Sequence, residues 1–532
     1  MLHTMLANSR SALCAGLVSL ALSLAASGQG GDIPFAPALD VSSGSVTGVT
    51  QTAIGDLNGD GLPDIGVFEG GVHAGGRRTF AWFEAPSWIR HEFAPGLEPG
   101  PFVGAAAFAD IDGDGRLDVV VSSDLHSGGA RVGSMYWFRN PGGAATGPWA
   151  RHTIVQDLAD TEHINDIGIA DMDRDGRLDV VIRHLGATLK VRIFFQDTPD
   201  AWTVRTLPVR SREGLKLADL DRDGRIDIVL NGFWWAAPAD PRTGTFAEYG
   251  IDGAYSALPE TGLNNSVKIG VADLDADGRR DVVFSVAEGA AVYLAWYRCP
   301  ADPRGQPWTR TIIENAFTNG HQALVGDLDN DGDPDLVTGL AFGSTGVFVY
   351  RNEGNGASWT KQTLTTGLGL YSGVIGDIGA DGDLDIVGAD TYADRARPWL
   401  YENLSPRRQA SATVRNGAGV NPVCFQASLP ILGARWTGTI DTSGHPGATD
   451  TILACTLSPA TGPIGPWGQP LVDRSSPLLY RGSALPDAAG IAHYGWRIPR
   501  VRDLAGLGLS VQGLILGGSP RFTNAVDLVL GY

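Results

Sequence analysis

The sequence predicts an all-β chain, a seven-bladed β-propeller over residues 32–405 followed by a C-terminal β-sandwich over residues 406–532. Three observations carry this expectation. An Asp-rich pattern recurs seven times between Asp56 and Asp385, each copy runs into a short apolar stretch rich in β-branched residues, and beyond Pro406 the pattern gives way to Gly, Pro, Thr and short apolar runs.

The copies open at Asp56, Asp110, Asp171, Asp219, Asp273, Asp327 and Asp377, at intervals of 48 to 61 residues, so one supersecondary unit fills each interval. Positions 1, 3, 5 and 9 of a copy are acidic or amide residues. They are Asp56, Asn58, Asp60 and Asp64; Asp110, Asp112, Asp114 and Asp118; Asp171, Asp173, Asp175 and Asp179; Asp219, Asp221, Asp223 and Asp227; Asp273, Asp275, Asp277 and Asp281; Asp327, Asp329, Asp331 and Asp335. The seventh copy has Asp377, Asp381 and Asp385, with Gly379 at position 3. Alternate residues of a tight loop turn oxygens inward, position 7 offers a carbonyl, and glycine at position 6 permits the sharp turn. Calcium tolerates such flexible oxygen cages better than magnesium does, so six or seven calcium sites are expected, the seventh impaired for want of a position-3 oxygen.

Each loop leads into a strand, as at Val119-Val120-Val121 and Ile228-Val229-Leu230. Aromatic stretches such as Tyr136-Trp137-Phe138 and tryptophan-led ones such as Trp149-Ala150-Arg151-His152 add further strands, giving four per unit. These tryptophans read as packing between units. The seventh unit lacks a tryptophan-led strand after Trp399, and the segment from Phe35 to Val41 stands ready to supply it and close the ring.

The loops resemble those of the FG-GAP or VCBS repeat family, integrin-α-like calcium-binding propellers, in its secreted bacterial form. The resemblance implies that each loop joins the inner two strands of a blade and that its metal stiffens that connection. Fifty-nine acidic residues against forty Lys and Arg give a formal charge of -19, which disfavours nucleic acid as a partner. Arg10 precedes an apolar run from Ser11 to Ala26 and small residues, the layout of a cleavable signal over residues 1–27. The mature chain is then secreted, extracellular or on the cell surface, with no transmembrane segment. Cys424 and Cys455 are candidates for a disulfide, leaving Cys299 odd.

If the calcium loops define one face, the starts of the first strands and the ends of the second strands define the other. His73, His126, His163, His184 and His321, five of ten histidines, fall there. Asn165, Glu213 and His321 each stand six residues before the first Asp of their own loop and so occupy equivalent rungs around the channel mouth. His163, Glu213 and His321 are the catalytic candidates; His73, His126, Asn165, Arg183, His184, Trp234 and Trp235 are the ligand-binding candidates. Imidazole with carboxylate suits a transition metal or acid–base chemistry on a sugar. The set His163-Ile164-Asn165, Glu213-Gly214-Leu215, Gly232-Phe233-Trp234-Trp235 and His321 also resembles propeller modules of secreted sugar dehydratases and polysaccharide lyases. The expected function is presentation of a binding face to a glycan or extracellular protein. A sugar lyase or dehydratase, and a structural surface protein, are the alternatives; no nucleophile or zinc-protease motif supports a hydrolase.

Overall fold

The computed structural model describes residues 32–70, 80–94, 101–127, 130–143, 147–158, 163–185, 189–210, 213–256, 266–288, 292–390, 396–405, 410–432, 434–473, 475–498 and 507–531. The expected signal segment, 1–27, lies outside them. The chain divides into two compact units, one of Ile33–Asp329 with Asp333–Ser405, the other containing Pro406–Tyr532.

The larger unit consists of seven antiparallel sheets among the described residues. In the first, Val49–Gly55, Asp64–Glu69, Phe80–Glu84 and Ile89–Glu92 pair in chain order. The third to sixth repeat this meander, and the second does so with its first strand split into Pro101–Phe102 and Ala106–Ala109. The seventh takes its outer strand from the other end of the unit: Leu39–Asp40 pairs with Trp399–Tyr401, and Phe35 bridges Asn403.

Innermost strands neighbour one another in sequence. Val49–Gly55 lies beside Ala106–Ala109, followed by His163–Ala170, Lys216–Ala218, Ser266–Ala272, Leu324–Gly326 and Ser372–Gly376, which returns to Val49–Gly55. The apolar runs after each loop explain this order. Val119 and Val121 pack against the first sheet with Phe68 and Phe80, whereas Val120 faces the third with Val180 and Ile182. Both faces of a sheet are thus covered, so its second strand reads as a continuous apolar run rather than an alternation. Each fully buried valine or leucine contributes roughly 1.5–3 kcal/mol of transfer free energy.

Polar stitches join the same sheets. Asn140 Nδ2 donates to Leu57 O across the first and second sheets at 2.8 Å, and Gln196 Nε2 to Ile111 O at 2.8 Å. Asn352 repeats the bond to Leu274 O and Asn403 to Leu328 O. Cys299 occupies the equivalent place, its Sγ 3.8 Å from Leu220 O. It is a free, buried thiol.

In the smaller unit, a five-stranded sheet (Ser411–Arg415, Arg521–Val529, Gly508–Leu516, Asp450–Thr456, Leu478–Ala484) and a three-stranded sheet (Phe425–Ala427, Arg435–Asp441, Ile491–Arg497) share one apolar core. Trp436 stacks on Trp496 within it, ring centroids 4.0 Å apart. The disulfide considered for Cys424 and Cys455 is not formed, and both are free thiols. Cys455 points into the core, where burial pushes its thiol up to about 12, and Cys424 stands before Phe425 on the other sheet. No helix among the described residues is long and apolar enough to cross a membrane.

Candidate functional site

The repeated loops share one geometry. In the second, Asp114 N–H donates to Asp110 Oδ1 at 3.0 Å and Gly115 N–H to Asp110 Oδ2 at 2.9 Å, so the position-1 carboxylate organises the turn. Position 6 is glycine in all seven with φ between 82° and 96°, and position 4 is also left-handed, as at Arg222 (62°) and Asn330 (58°).

Position 9 does something different from the coordination expected of it alone. Asp118 accepts from Ile111 N–H at 3.0 Å through Oδ2 and from Asn140 N–H at 2.8 Å through Oδ1, pinning the loop to the third strand. Asp64, Asp179, Asp227, Asp281, Asp335 and Asp385 make the same pair of bonds. Burial pushes the Asp118 carboxyl up to about 6 and those of Asp227 and Asp281 up to about 7, against the lowering effect of these N–H donors.

Positions 1, 3 and 9 bring ligand oxygens within 4.8 Å of one another in five loops: Asp110, Asp112 and Asp118; Asp171, Asp173 and Asp179; Asp219, Asp221 and Asp227; Asp273, Asp275 and Asp281; Asp327, Asp329 and Asp335. Such all-oxygen groups suit a hard divalent cation. The first loop, with Asn58 at position 3, and the seventh, with Gly379, form no such group of acidic side chains among the described residues. Position 5 is not in the triads. Asp114, Asp175, Asp223 and Asp277 instead pair with the arginine at position 7 of their own loops, Arg116, Arg177, Arg225 and Arg279. Asp60, Asp331 and Asp381 complete the position-5 set and likewise lie outside the triads.

The second candidate region is a cavity of about 160 Å³ that takes residues from all seven sheets: Gln51, Ala105, Asn165, Glu213, Lys268, His321 and Tyr371 each belong to a different one. Glu213 is nearly fully buried and held by a parallel bridge to Ser266 of the next sheet. Asn165 Nδ2 donates to Glu213 Oε1, while Lys268 Nζ lies 3.6 Å from Glu213 Oε2 and 3.4 Å from Asp166 Oδ1. Burial works against the Lys268 ammonium, but Asp166 and Glu213 outweigh it and hold its pKa above the ordinary lysine value. Glu213 Oε2 and Asn165 Oδ1 are buried without a hydrogen-bond partner, a cost of roughly 1–3 kcal/mol each that a ligand donor would relieve.

His321 completes the wall. Its Nδ1 is 2.8 Å from Tyr371 O, so that nitrogen carries the proton and Nε2 is the acceptor; Nε2 lies 3.8 Å from Glu288 Oε1. The ring stacks on Tyr371 at 4.2 Å. Burial, reinforced by Lys268, pushes the imidazole down to about 4, against the opposing pull of Glu213. The ring is neutral at physiological pH.

Of the residues expected on this face, Asn165, Glu213 and His321 come together. Arg183 lies beneath the pocket rather than in it, fully buried, its Nη1 donating to Gly214 O at 3.0 Å. His184 is buried beside Arg192, with its Nε2 2.9 Å from Arg192 Nη1. Trp234 and Trp235, expected to meet ligand, point to opposite sides of their sheet into two apolar cores, because successive strand residues alternate. His163 begins a strand and His126 lies in another, but their side chains are outside what is described, as is all of His73. None of the close acidic groups includes His321, Glu213 or Glu288, so the transition-metal set considered for this face is not assembled among the described residues.

Sequence reasoning missed Asp166, Lys216 and Lys268. A signal for two of them exists: five residues before four of the seven loops stand the polar residues Gln51, Asp166, Lys268 and Gln322, one position on from the Asn165–Glu213–His321 level.

A chain of repeated antiparallel sheets, each with an Asp-lined loop between its first two strands, is thereby defined. Residues 110–182 and 273–338 match the FG-GAP-like repeat model, and the chain carries FG-GAP-like repeats. No curated protein matches the sequence. Among solved structures, an Agrocybe aegerita lectin recognising non-reducing terminal N-acetylglucosamine is 19% identical, with 60% of this chain and 81% of that chain covered at a TM-score of 0.41. The six-bladed Aleuria aurantia lectin is 11% identical over 60% of this chain and 98% of that one, TM-score 0.34. An exo-β-1,3-galactanase from Phanerochaete chrysosporium is 12% identical over 91% and 96%, TM-score 0.28.

Proposed function

We propose that this protein is an exported, calcium-stabilised seven-bladed β-propeller, followed by a β-sandwich, that binds a glycan in its axial pocket. The closed succession of inner strands supports seven blades, and a single core shared by two sheets supports the sandwich. The observation that carries the binding reading is the convergence of Asn165, Glu213, Lys268 and His321, from four different sheets, on one pocket whose acceptors Glu213 Oε2 and Asn165 Oδ1 lack donors. Sugar hydroxyls are donors of the right kind. The Asp triads fit calcium by their oxygen-only ligands and would hold it at the opposite ends of the same inner strands, stiffening the walls of the pocket. The test is titration calorimetry of the calcium-loaded chain against monosaccharides, with Glu213→Gln and Asn165→Ala as comparisons. Saturable binding that both substitutions weaken is expected; binding untouched by either overturns the pocket assignment.

A second reading, a sugar lyase or dehydratase, is supported by the neutral His321 lying in the same wall as Glu213. Turnover of a sugar substrate lost in His321→Ala, with binding retained, would favour it over simple recognition.

A further inference from the structure

The five-stranded sheet of the smaller unit is apolar on both of its faces. Leu453 and Cys455 point into the shared core, so Ile452 and Ala454, which alternate with them on Asp450–Thr456, point outward. The outward face of such a sheet is ordinarily polar. Part of it is roofed by a later segment, in which Leu471 is fully buried and donates its N–H to Gln512 Oε1 at 2.7 Å. Beside that roof remains a cleft of about 390 Å³, lined by Ile452, Ala454, Leu514, Leu478 and Trp467.

Trp467 is fixed by its backbone while its ring stays in solvent. It sits in the turn from Gly465 to Gly468, closed by Gly465 N–H to Gly468 O at 2.9 Å and Gly468 N–H to Gly465 O at 3.1 Å. Its own carbonyl accepts from Phe522 N–H at 2.8 Å. The next residue is clamped by the buried Asn421, whose Oδ1 accepts from Gln469 N–H and whose Nδ2 donates to Gln469 O, each at 2.7 Å. Trp467 is nonetheless 48% exposed. An aromatic ring presented on so rigid a turn loses little further entropy when a ligand covers it, which is the property of a contact residue.

The polar lining narrows what covers it. Asp473 and Arg481 are the charged residues of the cleft and have opposite signs, so the site makes no net demand for charge. Asp473 Oδ1 accepts from Ser475 N–H at 2.8 Å and from Ser475 Oγ at 2.7 Å, while Oδ2 takes no hydrogen bond among the described residues. Ser476 Oγ, also in the lining, is buried without a hydrogen-bond partner. A purely apolar ligand would leave that hydroxyl stranded.

We propose that this cleft is a second saccharide site, separate from the axial pocket and independent of it, that takes a neutral sugar. The C–H face of the ring lies on Trp467, and its hydroxyls donate to Asp473 Oδ2, accept from Arg481 and satisfy Ser476 Oγ. The cleft falls within the roughly 300–1,000 Å³ typical of small-ligand sites.

The test is native gel electrophoresis of the full chain in excess calcium, through gels containing mixed-linkage β-glucan, xylan, galactomannan, galactan or dextran, with alginate as the acidic comparator. At least one neutral polymer is expected to retard the chain. Trp467→Ala should weaken that binding about tenfold or more, with the melting temperatures unchanged because the side chain is half in solvent. Trp467→Phe, which keeps a ring face, should retain most of it, and Trp467→Leu, which is apolar without one, should not. Retardation that Trp467→Ala leaves intact and Glu213→Gln removes belongs to the axial pocket and overturns the second site. Full binding by Trp467→Leu, retardation by alginate alone, or none by any polymer overturns it as well.

Discussion

Arg242, in the outer connection of the fourth sheet, places its Nε 2.5 Å from Oδ2 of Asp173 in the loop of the third, and its Nη1 2.7 Å from Asp197. Arg304 repeats this from the fifth sheet to Asp221 and Asp223 of the fourth. A guanidinium thus neutralises position 3, itself a member of the loop's cation group. Arg242→Gln removes that internal countercharge. Without calcium the variant should lose about 1 kcal/mol, a modest value because the pair is partly solvated. With calcium the more negative loop should bind the ion more tightly, so the gap between melting temperatures in calcium and in chelator should widen. An unchanged gap would mean that the guanidinium and the ion do not share the site.

Positions 3 and 9 should separate in their response to substitution. Asp112 serves the cation group, whereas Asp118 also satisfies two buried N–H groups, Ile111 and Asn140. Asp118→Ala strands both donors and should cost about 2–5 kcal/mol whether or not calcium is present. Asp112→Asn, which weakens only the partly solvated pair with Arg139 Nε at 2.6 Å, should cost the chelated protein about 1 kcal/mol or less and mainly diminish its gain on adding calcium. Differential scanning calorimetry in both buffers measures the contrast, and equal losses in chelator would contradict the division of labour.

The repeat was legible because chemistry constrains it locally: a turn with left-handed residues and clustered oxygens must be spelled with Asp and Gly at fixed spacing. Four-stranded units followed from the same regularity, and the closing strand at Leu39–Asp40 from the unit that lacked one. The pocket was half legible. Asn165, Glu213 and His321 share a register, and register survives folding. Trp234 and Trp235 were misplaced because an apolar pair at a strand start reads alike whether it faces solvent or two neighbouring sheets, and only the packing of both faces decides. Arg183 was misplaced for the same reason: its rung is correct, but its side chain runs under the loop at Gly214.

Gly214 holds the pocket's acidic residue in place. Its φ is 113°, and a Cβ there would lie 2.8 Å from both Asn231 Oδ1 and Val267 O, the latter backbone that cannot retreat without moving its strand. Its N–H also ties Asp166. Gly214→Ala should therefore destabilise by about 1–3 kcal/mol and weaken ligand binding more than the melting temperature alone implies, because Glu213 moves with it. Calorimetric stability and binding measured on the same sample test this; full-strength binding would show that Glu213 does not depend on that backbone.

His321 gives the larger unit a definable acid sensitivity. Its folded-state value, about 4, lies below the ordinary 6.5, so the fold prefers the neutral ring. Stability from this group is fully present above pH 6.5 and is lost as the pH falls from 6.5 toward 4, because over that window the unfolded chain binds the proton and the folded chain does not. The depression corresponds to roughly 3 kcal/mol at most, less whatever Glu288 recovers by pairing with the protonated ring. The carboxylates of the Asp loops titrate nearby in pH, so the comparison is made in excess calcium against His321→Gln, which keeps the loops and removes the titrating ring. Wild type should lose stability faster than the variant between pH 6.5 and 4, and the two curves should run parallel above pH 7. Parallel curves throughout would mean that His321 takes up its proton in the fold as readily as in water, which its burial against Tyr371 and proximity to Lys268 oppose.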